Sequence, residues 1–158
     1  MNDTNTINAY LRTKVMTASP EELRMLLLDG ALRFANMAKY GMENSDHEKI
    51  YEGFTQSRAI VLELTDTIDP SHDPELANNV RGIYVFIYGQ LIKASIEKDI
   101  TKLDEAIRLL EYERETWAKL MEQLVEDRKA GIVAPSNAPA NAPASQEAPA
   151  MSSLSVEA

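Results

Sequence analysis

The chain has 158 residues, 44% of them apolar, and a formal net charge of −9. That length suits one domain plus a tail, and the acidic balance opposes binding to nucleic-acid phosphates, which calls for a basic face. The absence of cysteine excludes disulfides, thiolate metal sites and a cysteine nucleophile. No run of about eighteen apolar residues marks a membrane span, and the polar start Met1–Thr6 lacks the apolar core of a signal peptide. A cytoplasmic (cytosolic) protein with no membrane insertion is therefore expected.

An N-terminal arm, residues 1–18, comes first. Its hydrophobes Ile7, Tyr10, Leu11 and Val15 need somewhere to dock, and its cations Arg12 and Lys14 would steer it weakly toward acidic surface. The first helix then opens at Ser19-Pro20-Glu21-Glu22, an N-cap, a proline suited to the first turn and a capping-box carboxylate. It runs to about Tyr40 and stops near Gly41. Two stripes lie along it: Leu23, Leu26, Leu27, Ala31 and Phe34 form one, and Met25, Leu28, Leu32 and Ala35 form another. One stripe per helix suffices for a small core, so the second is expected to meet a partner or another segment of the chain.

The second helix is expected to open at a box Ser45-Asp46-His47-Glu48 and to continue through Ile50, Phe54, Val61 and Leu64 to about Thr67. Residues 41–72 carry seven carboxylates against two cations, which reads as a solvated face. After a turn with two prolines, Asp73-Pro74 caps a third helix carrying Leu76, Val80, Ile83, Tyr84, Ile87, Leu91 and Ala94 on one face. A break near Lys98-Asp99 leads to a fourth helix with Thr101 as its cap and Leu103, Ile107, Leu110, Trp117, Met121 and Leu124 as its seam. No segment alternates like a strand. Long helices with short connections predict an all-α fold, an antiparallel up-down four-helix bundle over residues 19–128. From Gly131 onward the chain holds four of the seven prolines, no aromatic residue and two charges, and residues 129–158 are expected to stay disordered.

Catalytic chemistry lacks its residues. The two histidines, His47 and His72, stand at helix starts, and neither follows a Glu at the Glu-x-x-His spacing of a di-iron bundle. The six glycines are scattered singly, so no phosphate loop exists. The carboxylates of the last helix, such as Glu111, Glu115, Glu122 and Glu126, read as solvated ion-pair partners. No enzyme, cofactor or metal site is expected. What remains is surplus apolar surface, assigned to partner binding at Ile7, Tyr10 and Val15 of the arm, Leu28 of the first helix, Ile50, Phe54 and Val61 of the second, and Tyr84, Ile87 and Leu91 of the third. A self-docked arm would keep such a face from aggregating, and a partner would have to compete with it.

Particular residues also carry a family likeness. Tyr10, Val15, Thr17-Ala18-Ser19-Pro20-Glu21-Glu22-Leu23, Met25-Leu26 and Asp29-Gly30-Ala31 form an opening signature. Gln56, Ile60 and Glu63-Leu64 follow, then Ile83-Tyr84, Leu91, Ala94 and Asp99, and finally Arg114-Glu115-Thr116-Trp117. In order and spacing, over about residues 7–125, the chain resembles the flagellar secretion chaperone FliS family. The resemblance implies a chaperone that binds the disordered C-terminal segment of flagellin, prevents premature polymerisation and passes it to export gate components of the flagellar type III apparatus. It also implicates the arm, hence Ile7 and Tyr10, as a cap on the empty site. Leu28 stands where the family commonly has Tyr, and Gly89-Gln90 replaces a usual Arg-Arg; the Pro/Ala tail is not part of the family pattern. A helical scaffold that uses the same surface on other flagellar regulators is the alternative.

Overall fold

The computed structural model describes residues 2–133, and every regular element within them is an α-helix: α1 (Asn2–Thr17), α2 (Pro20–Asn44), α3 (His47–Asp66), α4 (Pro74–Glu97) and α5 (Ile100–Lys129). The Pro/Ala-rich segment from residue 134 onward, expected to be disordered, lies outside the described residues.

Local chemistry sets the helix starts. At α2 the Ser19 hydroxyl accepts from the Glu22 amide at 3.2 Å, and the Glu22 carboxylate accepts from the Ser19 amide at 3.0 Å. This is the reciprocal box that the sequence predicts. At α4 the Asp73 carboxylate accepts from the Leu76 amide at 3.0 Å, directly ahead of Pro74. Two other junctions differ from expectation. α2 runs past Gly41 to Asn44, and Ser45 closes it in a left-handed conformation with φ 55°. With Ser45 so used, Asp46 caps α3 by accepting from the Lys49 amide at 3.2 Å. Asp99, not Thr101, caps α5, its carboxylate taking the Thr101 amide at 2.9 Å and the Lys102 amide at 3.4 Å. An ionised carboxylate bonds free amides more strongly than a neutral hydroxyl does.

Gly41 ends nothing; it permits contact. A Cβ there would lie 2.7 Å from the Ile50 amide nitrogen. Gly53 does the same on α3, where a Cβ would lie 2.7 Å from the Ala38 Cα. The α2 and α3 backbones therefore meet with no side chain between them.

α2 packs against α3 and α5, and α4 packs against the same two helices. Each helix of this α2–α5 body faces two neighbours and so needs two apolar stripes. That accounts for the second stripe of α2: Leu28 and Ala35 are wholly buried and Leu32 lies against the core. Of the two expected outcomes for this stripe, a partner or another segment of the chain, the packing supplies the second. The core continues through Phe54, Val61 and Leu64 of α3, Tyr84, Ile87 and Leu91 of α4, and Leu103, Ile107 and Leu110 of α5. α5 outruns it, and no described residue after Leu110 is fully buried.

α1 takes no part in the core. Residues 5–17 are exposed throughout, and burial begins at Ala18. Ile7, Tyr10, Leu11 and Val15 share one helical face by spacing, yet all four remain exposed. Here the arm is a helix that stands clear of the α2–α5 body rather than the docked segment its hydrophobes suggest.

Candidate partner-binding surface

Six of the ten residues assigned to partner binding lie in the interior. Leu28, Val61, Tyr84, Ile87 and Leu91 have no exposed surface and Phe54 has 2%. The correction has a geometric cause: a helix held between two neighbours turns about half its circumference inward, so its most regular apolar stripe becomes core. Ile50 is half-buried and lines a cavity of about 340 Å³ with Met42, Phe54 and Ala94, rimmed by Ser45, His47, Ser95 and Lys98. Ile7, Tyr10 and Val15 are exposed, together on α1 and away from the others.

The apolar surface of the body lies elsewhere. On α4, Val85 is 59% exposed and Phe86 49% exposed. Gly82 and Gly89 share their face, and a Cβ at either would meet nothing within 4 Å. Ile96 extends the face and Leu76 opens the helix, both exposed. Tyr84-Val85-Phe86-Ile87-Tyr88 is apolar or aromatic at every position, so periodicity alone does not say which side looks out. Gly82 and Gly89 mark the open side only once the structure shows that a Cβ at either meets nothing.

A second apolar region surrounds the start of α2. Two clefts of about 320 and 510 Å³ share Arg24, Thr67, Asp69, His72 and Trp117. Leu23 and Pro20 line one; Ile68, Leu76, Ala77 and Val80 line the other. Trp117 is held by its ring N–H, which donates to the Glu21 carbonyl at 3.0 Å. The Arg24 guanidinium lies 4.9 Å from the Trp117 ring centroid and 5.4 Å from that of Tyr84, both within cation–π range. Arg24 Nη2 donates to the Tyr84 hydroxyl at 2.9 Å, and that hydroxyl donates to Glu113 at 3.3 Å.

Burial pushes the Tyr84 phenol up to about 12, against the opposing pull of Arg24. Burial likewise raises the Glu113 carboxyl above its ordinary range, only partly offset by the Tyr84 hydrogen bond and the Arg24 charge. Sequence reasoning missed Arg24 because a single cation inside an apolar stripe reads as a side chain reaching for solvent.

A third groove runs between α2 and α5 beside the end of α1. Met25, Leu26 and Met121 form its floor, with Lys14, Glu22 and Asp29 around it. An Arg114–Asp29 ion pair ties the two helices together at this level. Among the described residues no group of three or more His, Asp or Glu side chains could hold a metal ion, and no described helix is long and apolar enough to cross a membrane. These surfaces are suited to holding a chain by apolar contact at several separate places.

The family model of the flagellar protein FliS matches residues 3–124, from α1 through most of α5. The chain belongs to the FliS family. It is 30% identical over 124 residues to the flagellar secretion chaperone FliS of Bacillus subtilis (strain 168), covering 78% of this chain and 92% of that relative. The FliS chaperone of Campylobacter jejuni is 29% identical over 113 residues, with 72% and 88% covered. That of Escherichia coli (strain K12) is 25% identical over 122 residues, with 74% and 88% covered. FliS membership places the chain among flagellar secretion chaperones, and so in flagellum biogenesis and protein export. The FliS match takes in the Ser19 capping box, the α4 face and Trp117, and leaves residues 125–158 outside.

Proposed function

We propose that this chain is a flagellin export chaperone without catalytic activity. It binds the disordered C-terminal region of flagellin in the cytosol, prevents premature polymerisation and delivers the cargo to the flagellar type III export apparatus. The observation that carries this reading is the apolar surface left open on α4 and around Trp117 of a strongly acidic FliS-family protein. Contiguous apolar patches on a charged protein mark interaction sites. A cargo that orders only on binding loses part of its interaction energy to that ordering, so several separated contacts serve it better than one pocket.

The pairwise packing and the short connections between α2, α3, α4 and α5 support reading the body as an antiparallel up-down four-helix bundle. On this reading residues 1–18 act as an arm, 19–128 as the bundle and 129–158 as a tail. The exposed stripe of α1 supports a weakly held cap, clear of the empty body most of the time, that competes with cargo through its high effective concentration.

Calorimetric titration with the C-terminal segment of the same organism's flagellin tests the reading, alongside a variant lacking residues 1–16. Binding with a negative heat-capacity change is expected, as burial of apolar surface requires. Tighter binding by the truncated form marks the arm as a competing cap, and weaker binding makes it part of the cargo site. No binding by either folded form overturns the flagellin reading.

A further inference from the structure

Arg24 is the half-buried cation of the clefts, and its fold gives it no direct ion-pair partner. A guanidinium carries five N–H donors, and Arg24 uses one of them, on the neutral Tyr84 hydroxyl. Among the described residues no carboxylate forms an ion pair with it. Glu113 acts on it through the Tyr84 hydroxyl and through space. The side chain is half-buried, flanked by the Tyr84 and Trp117 rings, and lines both clefts.

The carboxylates around the clefts have other neighbours. Glu21 is paired with Arg128 at 3.5 Å through one oxygen, its other oxygen being buried without a hydrogen-bond partner. Asp73 accepts from the Leu76 amide at 3.0 Å, and Asp69 accepts from the Ser71 amide at 2.9 Å. Both of these aspartates are exposed, where solvent and salt screen them. His72, at the rim, adds no negative charge near neutral pH.

A partly desolvated guanidinium without an ion-pair partner, set beside apolar walls, complements a carboxylate carried on an apolar residue. We infer that the Arg24–Trp117 cleft receives the C-terminal carboxylate of the cargo chain, the last side chain lying against Leu23, Val80 and Trp117 while the carboxylate bonds Arg24. A chain terminus fits this better than an internal acidic side chain, because its carboxylate sits one bond from a Cα whose own side chain fills the apolar wall. Arg is also the residue whose planar fork matches a carboxylate with two parallel bonds. This inference rests on the flagellin reading above and adds which end of the cargo is fixed, and where.

The test uses the full chain and two synthetic peptides of the flagellin C-terminal segment, identical except that one ends in a free carboxylate and the other in an amide. A charge-assisted hydrogen bond is worth about tenfold or more in affinity, so the acid is expected to bind about tenfold more tightly than the amide. In Arg24→Gln that ratio is expected to fall toward one, with the loss confined to the acid peptide. Comparison of the two peptides on the wild-type chain needs no variant and stands even where Arg24→Gln folds poorly. Equal affinity for acid and amide overturns the inference and leaves the flagellin reading intact, as does an acid preference that survives in folded Arg24→Gln. Failure of both peptides to bind the folded wild-type chain overturns the flagellin reading and this inference with it.

Discussion

Glu113 shows how one residue records its surroundings. It sits on α5 with the Tyr84 hydroxyl donating to it and Arg24 beyond, and burial still holds its carboxyl above the ordinary range. The folded state therefore keeps this proton at a pH where the unfolded chain, with a carboxyl near about 4.3, has released it. Its contribution to stability is fully present below that unfolded value and is lost as pH rises through the folded one. Asp46 and Asp69, whose carboxyls are lowered by hydrogen bonds from Lys49 and Ser71, run the other way and lose stability as pH falls through their folded values. Glu113→Gln keeps the acceptor for Tyr84 and removes the titration. Urea unfolding of both proteins between about pH 4 and pH 8 should show the wild type losing stability relative to the variant as pH rises. A difference that does not change with pH would mean that Glu113 is fully solvated.

At the scale of the element, helix boundaries are decided by which polar side chain reaches the free amides. The α4–α5 junction concentrates this: Lys98 turns left-handed at φ 54° to end α4, and Asp99 immediately caps α5. Asp99→Ala should cost about 1 kcal/mol, the usual loss for a carboxylate cap. Thr101→Ala should cost well under half of that, since Thr101 contributes only its amide to the cap. Chemical denaturation of the two variants separates the alternatives, and a larger loss at Thr101 would restore the hydroxyl as the cap. The same reasoning explains α3, where Ser45 and Asp46 stand together and the serine closes one helix while the aspartate opens the next.

For the whole molecule, the division between α1 and the α2–α5 body has a thermodynamic consequence. An isolated helix of about 15 residues is marginal in water, and α1 begins Asn2-Asp3-Thr4-Asn5-Thr6, all poor helix formers. Its stability should be low and separate from that of the core. Hydrogen exchange is expected to exchange α1 amides far faster than those around Leu28, Phe54 and Leu110. Removal of residues 1–16 is expected to leave the melting temperature of the body within about 2 °C, since no core contact is lost. A marked fall would place α1 firmly on the body in solution and make the cap a tightly docked one.

Much of this protein was legible in its sequence, because short-range chemistry wrote it there. The Ser19-Pro20-Glu21-Glu22 box, the Asp73-Pro74 start and the 3.6-residue periodicity of the apolar stripes each act within one or two turns of helix. They identify the helical class and the approximate helix limits without reference to anything distant. The face turned to a partner was not legible in the same way. Leu28, Tyr84, Ile87 and Leu91 form better stripes than Val85 and Phe86, and that regularity is why the neighbouring helices bury them. Which of two apolar faces is left open depends on how many helices pack around it, and Arg24 becomes a candidate site only when Tyr84 and Trp117, distant in sequence, close around it. Local propensity thus determined what the segments are, and tertiary packing decided which of their surfaces remain for function.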